Sequence, residues 1–345
     1  MQWLSRLKRR LGRLRQWPGR LKQWPGHLKK LARDMRPTVD YFTGRMTAPG
    51  WLYLEFVNTC NADCIFCAYR YDPRPKLTLS LQRVVEAAKQ FRALGGRNIG
   101  LSPVLGETFV DRDALTKIAA LKEEGFDWIH TYTNASLLHK FGAKEVLRSG
   151  LTNLRLSLPP LDEALYRKIY QNNNYRRVRD NVRDLLIAFD STEDKTVKDI
   201  SIEFRSDRPL EACQALPDYL EYVAPHINDH VQVGAMTVFD SWSGTIKPDD
   251  LLPGMTLLSG DSKGSKRVPC GRIFTLQVLS DGHIRQCGCR VDTTAEKDEL
   301  TIGHIDEMSL EEAFRSKRAR ANVASFVAGK PLDVCKKCAW YSPEV

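Results

Sequence analysis

Three cysteines within eight residues constrain this chain more than any other feature. Cys60-Asn61-Ala62-Asp63-Cys64-Ile65-Phe66-Cys67 follows directly on an apolar run, Trp51-Leu52-Tyr53-Leu54-Glu55-Phe56-Val57. The run reads as a β-strand, and the cysteines as the loop leaving its C-terminal end. Three thiolates satisfy three irons of a four-iron cluster and leave the fourth open, whereas a structural zinc site takes four ligands in a closed shell. Spacing by itself leaves a zinc loop as the alternative.

The other cysteines are also grouped. Cys270, Cys287 and Cys289 form a second set, Cys335 and Cys338 a third, and Cys213 stands apart. Ligand spacing without the apolar core of a secretory signal points to metal binding in a reducing compartment, so cytoplasm is expected. No apolar run approaches the roughly 18 residues that span a bilayer. The 345 residues allow one large domain and a smaller one.

Charge is unevenly distributed. Residues 1–36 hold twelve Lys or Arg and one acid, Asp34, so the net +10 belongs to this segment and the body is nearly neutral. The segment repeats Arg15-Gln16-Trp17-Pro18-Gly19-Arg20-Leu21 as Lys22-Gln23-Trp24-Pro25-Gly26-His27-Leu28. Before the repeat, Trp3, Leu4, Leu7, Leu11 and Leu14 have helical spacing with cations between them. Such an arm suits an anionic membrane surface, with Trp at the headgroups and Lys or Arg on phosphates. A solvated tail and a nucleic-acid contact are the alternatives, the latter disfavoured by the large apolar side chains.

From about residue 50, strands alternate with helices. Strands are expected at 52–57, 98–102, 128–133, 154–158, 197–205 and 231–239, and helices at 80–94, 111–124, 139–149, 178–190 and 213–223. Ser80 is the expected cap of the first helix. Repeated strand–helix units predict a parallel sheet with right-handed crossovers, here an open (β/α)6 barrel with its chemistry at the strand C-terminal ends. Residues 244–267 read as a connector, and 268–345 hold five of the nine cysteines.

The first cysteine set resembles the CxxxCx(aromatic)C motif of radical S-adenosylmethionine (SAM) enzymes, with Phe66 at the aromatic position. The resemblance extends along the strand ends. Leu105-Gly106-Glu107 stands where the family has Gly-Gly-Glu, which implies that Glu107 holds the SAM amino group. Thr133-Asn134-Ala135 resembles Thr-Asn-Gly, and Ser157 stands where the family bonds the SAM ribose or carboxylate. Asp162, Tyr166 and Tyr170 follow Ser157 at family-like spacing, and Arg205 ends the fifth strand in position to meet an anion. Cys213 reads as a buried helix residue, and 240–244 as either a pocket floor or a turn with an aromatic plug.

The C-terminal region resembles a SPASM or shortened twitch domain, which binds auxiliary iron–sulfur clusters. Cys270 precedes a strand, an Asp281-Gly282 turn and a returning strand ending at Cys287, and Cys335-Lys336-Lys337-Cys338 follows. The resemblance implies that Cys270, Cys287, Cys335 and Cys338 hold one auxiliary 4Fe-4S cluster; Cys287 fits the pattern better than Cys289. The expected fold is α/β: a basic arm over 1–45, a partial (β/α)6 TIM-like barrel over 46–245, and a linker with a small α+β cysteine-rich domain over 246–345.

The resemblance further implies a SAM-binding 4Fe-4S cluster on Cys60, Cys64 and Cys67. It implies reductive cleavage of SAM to a 5′-deoxyadenosyl radical and hydrogen abstraction from the substrate. A small or lipid-linked substrate is expected, with net oxidation or rearrangement, and an external donor of flavodoxin or ferredoxin type. A peptide-modifying enzyme is the alternative within the family. A zinc-stabilised nucleic-acid-binding protein is the alternative outside it.

Overall fold

The structure is a computed structural model that describes residues 26–101, 104–258, 266–289 and 298–343. The amphipathic segment and most of the Trp-Pro-Gly repeat lie outside the described residues. The described chain opens with helix α1 (Gly26–Thr43). The alternation follows as β1 (Leu52–Leu54), α2 (Leu81–Ala93), β2 (Asn98–Gly100), α3 (Ala114–Glu123), β3 (Trp128–Thr133), α4 (Ala143–Arg148), β4 (Asn153–Leu158), α5 (Glu163–Tyr170), α6 (Tyr175–Ser191), β5 (Asp199–Arg205), α7 (Leu210–Gln214), α8 (Pro217–Tyr222) and β6 (Val231–Met236). The C-terminal part adds β7 (Val238–Asp240), β8 (Thr256–Leu258), β9 (Leu276–Val278), β10 (His283–Gln286), β11 (Thr301–His304), α9 (Leu310–Arg315), α10 (Lys317–Val327) and α11 (Asp333–Lys337).

Local chemistry explains these elements. The Ser80 hydroxyl accepts from the Arg83 amide and caps α2, which buries Val84, Ala87, Ala88 and Phe91 along one stripe. Burying such side chains contributes about 1.5–3 kcal/mol for each of the larger ones before entropy is counted. The expected helix over 213–223 is two helices, because Pro217 cannot donate within a helix and instead starts α8. Cys213 is buried on α7, as expected. The expected strand over 231–239 also breaks: β6 ends at Met236, the Thr256 amide donates to Thr237 O at 2.9 Å, and β7 pairs with β8 instead. Helix α5 was not expected. Asp162 caps it by accepting from the Leu165 amide at 2.8 Å, and it buries Tyr166 and Tyr170 one turn apart.

Nine strands form one sheet in the order β11-β10-β9-β1-β2-β3-β4-β5-β6. Strands β1 to β6 pair in parallel, and β9 also pairs in parallel with β1, with Leu52 opposite both Ile99 and Leu276. Hairpin β9–β10 and strand β11 are antiparallel. The C-terminal module is therefore no detached unit, because its first strand continues the barrel sheet. Without β9, β1 would expose a row of unpaired backbone groups at the sheet edge.

The N-terminal arm is likewise partly built in. The C-terminal half of α1 buries Thr38, Tyr41 and Phe42. The Tyr41 hydroxyl donates to Phe314 O at 2.5 Å, and its ring lies 5.6 Å from that of Phe274.

Burial alternates along β3 and β5. Ile129, Ile200, Ile202 and Phe204 pack beneath the helices, while His130, Tyr132, Glu203 and Arg205 project to the other face. That second, polar face lines the inside of the open barrel.

Candidate active site

The cysteine loop leaves β1 and is tied to several other elements. The Glu107 amide donates to Thr59 O at 2.9 Å, from the loop after β2. Asn134, after β3, donates to Asn61 Oδ1 at 2.8 Å, and Asn61 donates to Ser136 Oγ at 2.6 Å. The Ile65 amide donates to Ile169 O of α5 at 3.0 Å. The Trp242 indole donates to Phe66 O at 3.0 Å, and the Phe66 ring stacks on Phe239 with centroids 5.0 Å apart. The 240–244 segment thus clamps the cysteine loop, with Trp242 and Ser243 both at positive φ.

The thiols themselves favour a cationic occupant. Burial, then the Glu107 charge, pushes Cys60 up to about 12, and burial with the Cys67 and Cys60 charges pushes Cys64 well above its usual value. Three mutually repelling thiolates in so dry a setting require positive charge among them. A donor set of three sulfurs fits an iron–sulfur cluster with one iron open to a further ligand.

Glu107 is buried and well satisfied. Its oxygens accept from Thr133 Oγ1 and the Asn134 amide at 2.8 Å each, and from the Phe109 amide at 3.2 Å. Burial pushes its pKa up. A carboxylate has about four lone-pair sites, so three donors leave room for one more. Gly106 lies at φ 144°, a conformation that suits glycine. Ala135 holds φ 60° where the family has glycine, and Asn181 braces it by donating to its carbonyl at 2.7 Å.

At the ends of β4 and β5, Arg205 donates to Ser157 Oγ at 3.1 Å and to Glu203 Oε2 at 3.0 Å. The Tyr170 hydroxyl donates to the Ser157 carbonyl. Tyr170 also joins this group to the cysteine loop, its ring 6.2 Å from Phe66. Ser157 and Arg205, singled out separately in the sequence, are hydrogen-bonded partners.

The second thiol set converges from three chain segments. Cys270, Cys287, Cys335 and Cys338 line one cavity, whose remaining wall is mostly apolar. Cys289 is not in that lining, although its charge, like that of Cys287, acts on Tyr53 and on Arg272, which lines the cavity. Cys287 adopts φ 66°, turning the chain at the end of β10. Burial raises Cys270 and, further, Cys335, and the Cys287 charge adds to both. Four thiols around one apolar cavity fit a cluster held by protein ligands throughout.

Sequence reasoning missed Lys266. This buried ammonium donates to Cys335 O at 2.9 Å, Lys336 O at 2.6 Å and Cys338 O at 2.7 Å, closing the last cysteine loop. It sits in a connector, where no local pattern distinguishes it from a solvated lysine. Also missed were Tyr53, His130, Tyr132, Arg155 and Arg272 inside the barrel. Alternation of polar with apolar residues in β3 and β4 was the signal available for three of them.

A sheet of parallel strands carrying a three-cysteine loop at the end of β1, and a four-thiol pocket beside it, defines a cluster-bearing partial barrel. The family models agree. Residues 54–197 match the radical SAM superfamily, and residues 270–339 match the SPASM iron–sulfur cluster-binding domain. The chain belongs to the radical SAM superfamily and carries a SPASM domain, and its cofactors are SAM and 4Fe-4S clusters; the zinc reading falls.

Among curated proteins, a probable GTP 3′,8-cyclase of Archaeoglobus fulgidus is 32% identical over 127 residues, covering 37% of this chain and 41% of that one. A GTP 3′,8-cyclase of Pseudomonas savastanoi pv. phaseolicola is 31% identical over 134 residues, covering 37% and 39%. The match thus spans about two-fifths of these relatives' length. Among solved structures, Streptococcus suis SuiB bound to precursor peptide SuiA is similar with TM-score 0.61 and 13% identity, covering 92% of this chain and 79% of that one. BtrN in complex with AdoMet and 2-DOIA has TM-score 0.51 and 13% identity, covering 84% and 92%. At such identities the likeness is one of fold.

Proposed function

We propose that the protein reductively cleaves SAM on a cluster held by Cys60, Cys64 and Cys67, and uses the product radical to oxidise or rearrange a small polar substrate. The carrying observation is that the three-thiol loop follows β1 and Cys287 of the four-thiol cavity follows β10, two strands of one sheet that carries a polar face on β3 to β5. When bound to the reduced open cluster, SAM supplies methionine and a 5′-deoxyadenosyl radical. The chain's own share is positioning. Glu107 offers its remaining lone pair to the SAM amino group, Asn134 fixes the loop through Asn61, and Phe66 packs beside the cysteines. Ser157 and Arg205 offer a hydroxyl and a guanidinium to the SAM ribose and carboxylate. The pocket of Cys270, Cys287, Cys335 and Cys338 would hold a single auxiliary cluster that accepts an electron from the substrate.

The relatives named GTP 3′,8-cyclase favour a small substrate, and so does the charged inner face, over a peptide. Electrons would come from a flavodoxin- or ferredoxin-type donor. Among the described residues no helix is long and apolar enough to cross a membrane. The cationic, Trp-rich residues 1–25, with the exposed Leu28 and Leu31 of α1, support contact with an anionic membrane surface on the cytoplasmic side. Deleting 1–25 should abolish sedimentation with anionic vesicles; unchanged sedimentation would remove that part of the reading.

The catalytic reading is tested by anaerobic reconstitution. About eight irons per chain are expected, from two four-iron clusters. Reductant and SAM should release 5′-deoxyadenosine, and release by a Cys64→Ala chain at the wild-type rate would overturn the reading.

A further inference from the structure

The inner face of the barrel carries a charge imbalance that SAM binding leaves unexplained. Gly100 and His130 are register partners, and so are Tyr132 and Arg155, and Ser157 and Glu203, so these side chains share one face. Arg155 donates to the Tyr132 hydroxyl at 2.8 Å and to Glu203 Oε1 at 3.3 Å. The other Glu203 oxygen accepts from Arg205 at 3.0 Å. One carboxylate therefore serves two guanidiniums. A third guanidinium, Arg272, stands at the wall of the four-thiol cavity, where the charges of Cys289, Cys287 and Cys270 act on it; it donates to the Tyr53 hydroxyl at 2.6 Å, and its charge also acts on His130. Arg155 keeps 38% of its side chain exposed within the open barrel, so a ligand can reach it.

His130 lies among these groups, its ring edge-on to Tyr53 and Tyr132 at 6.4 Å each. Its Nδ1 is buried without a hydrogen-bond partner. Burial, then the charges of Arg155 and Arg272, holds its pKa at about 4. At neutral pH it is thus an uncharged imidazole, able to donate or accept one hydrogen bond. The ring has room because Gly100 lies opposite: a Cβ there would come within 2.5 Å of Tyr53 and 3.1 Å of His130.

We infer that the substrate carries a carboxylate or phosphate that is held by Arg155 and Arg272 beside His130, two residues deeper along β4 than Ser157. Guanidinium forks match both anions in geometry, and a partly desolvated surplus of positive charge is relieved by an anion. The site is distinct from the Ser157–Arg205 pair assigned to SAM. This inference rests on the function proposed above, because it takes the inner face as the substrate chamber.

The test separates the two. Tripolyphosphate and citrate are titrated calorimetrically into reconstituted holoenzyme saturated with SAM and without reductant, so no turnover occurs. Binding of one probe is expected, and the tighter probe identifies the substrate group as phosphate or carboxylate. Arg155→Gln should weaken it by about tenfold or more, and Arg155→Lys, which keeps the charge without the fork, by less. If wild type binds neither probe, or if a variant with wild-type iron content binds as tightly as wild type, the inference is overturned. Release of 5′-deoxyadenosine by the same wild-type preparation, measured separately with reductant, tests the proposed function: release without anion binding sinks only the inference.

Discussion

The two cysteine regions solve one problem in opposite ways. The first puts three thiols on eight consecutive residues and relies on other elements to hold the loop: Thr59, Asn61, Ile65 and Phe66 are each engaged from a different part of the fold. The second takes four thiols from segments up to 68 residues apart in sequence and gathers them around one cavity, with Lys266 holding the last cysteine loop through three of its carbonyls. An open cluster must admit a small molecule at one iron, so its ligands are gathered on one side. A cluster ligated throughout by protein needs ligands from all sides, which no single loop provides.

Substitutions sharpen this contrast, beginning with the ligands. Cys64→Ala should reduce 5′-deoxyadenosine release about a thousandfold or more, whereas Cys335→Ala should leave release easily measurable. Each should halve the iron content, and equal losses of release in the two chains would erase the proposed division of labour.

The next effect concerns closure. Lys266→Met removes the buried ammonium that serves three carbonyls of the last cysteine loop and should cost about 3 kcal/mol in anaerobic denaturation. Removing a cation beside the second cluster should also lower that cluster's potential, read by redox titration with electron paramagnetic resonance. A shift confined to the first cluster would contradict the structure. Asn134→Ala breaks the brace on Asn61 and Ser136 and should cost about 2 kcal/mol. Its signature is faster loss of iron to a chelator from the first cluster, with the second unaffected.

The smallest effect lies between the two regions. The His130 pKa is lowered from 6.5 to about 4, chiefly by burial. The unfolded chain therefore binds a proton that the folded one refuses, and stability falls as pH drops from 6.5 toward 4. Between pH 7.5 and 5.5 this contributes roughly 1.4 kcal/mol of loss. His130→Gln should flatten the stability profile by about that amount, and an unaltered profile would mean that the folded histidine protonates freely.

The parts legible in the sequence share a property: their partners are close in the chain. The loop from Cys60 to Cys67, the Ser80 cap three residues before its amide, and the period-two strands β3 and β4 are local patterns. The interruption at Pro217 is also local: it divides the expected helix over 213–223. Helix α5 is less legible, because Asp162, Tyr166 and Tyr170 also fit the family-like spacing after Ser157. The same residues form a capped helix whose two tyrosines are buried behind the cluster loop.

The sequence by itself determined the chemistry: three thiols on a strand-end loop, five more in the C-terminal region, and alternating strands and helices to carry them. Tertiary structure decided the rest. It joined β9 to β1 across more than two hundred residues, set Cys287 rather than Cys289 in the wall of the four-thiol cavity, buried Lys266 against three carbonyls, and brought Tyr53, His130, Arg155 and Arg272 near one another. Backbone pairing and charge act through distance in space, and nothing in a local pattern records which distant residues the folded sheet will set side by side.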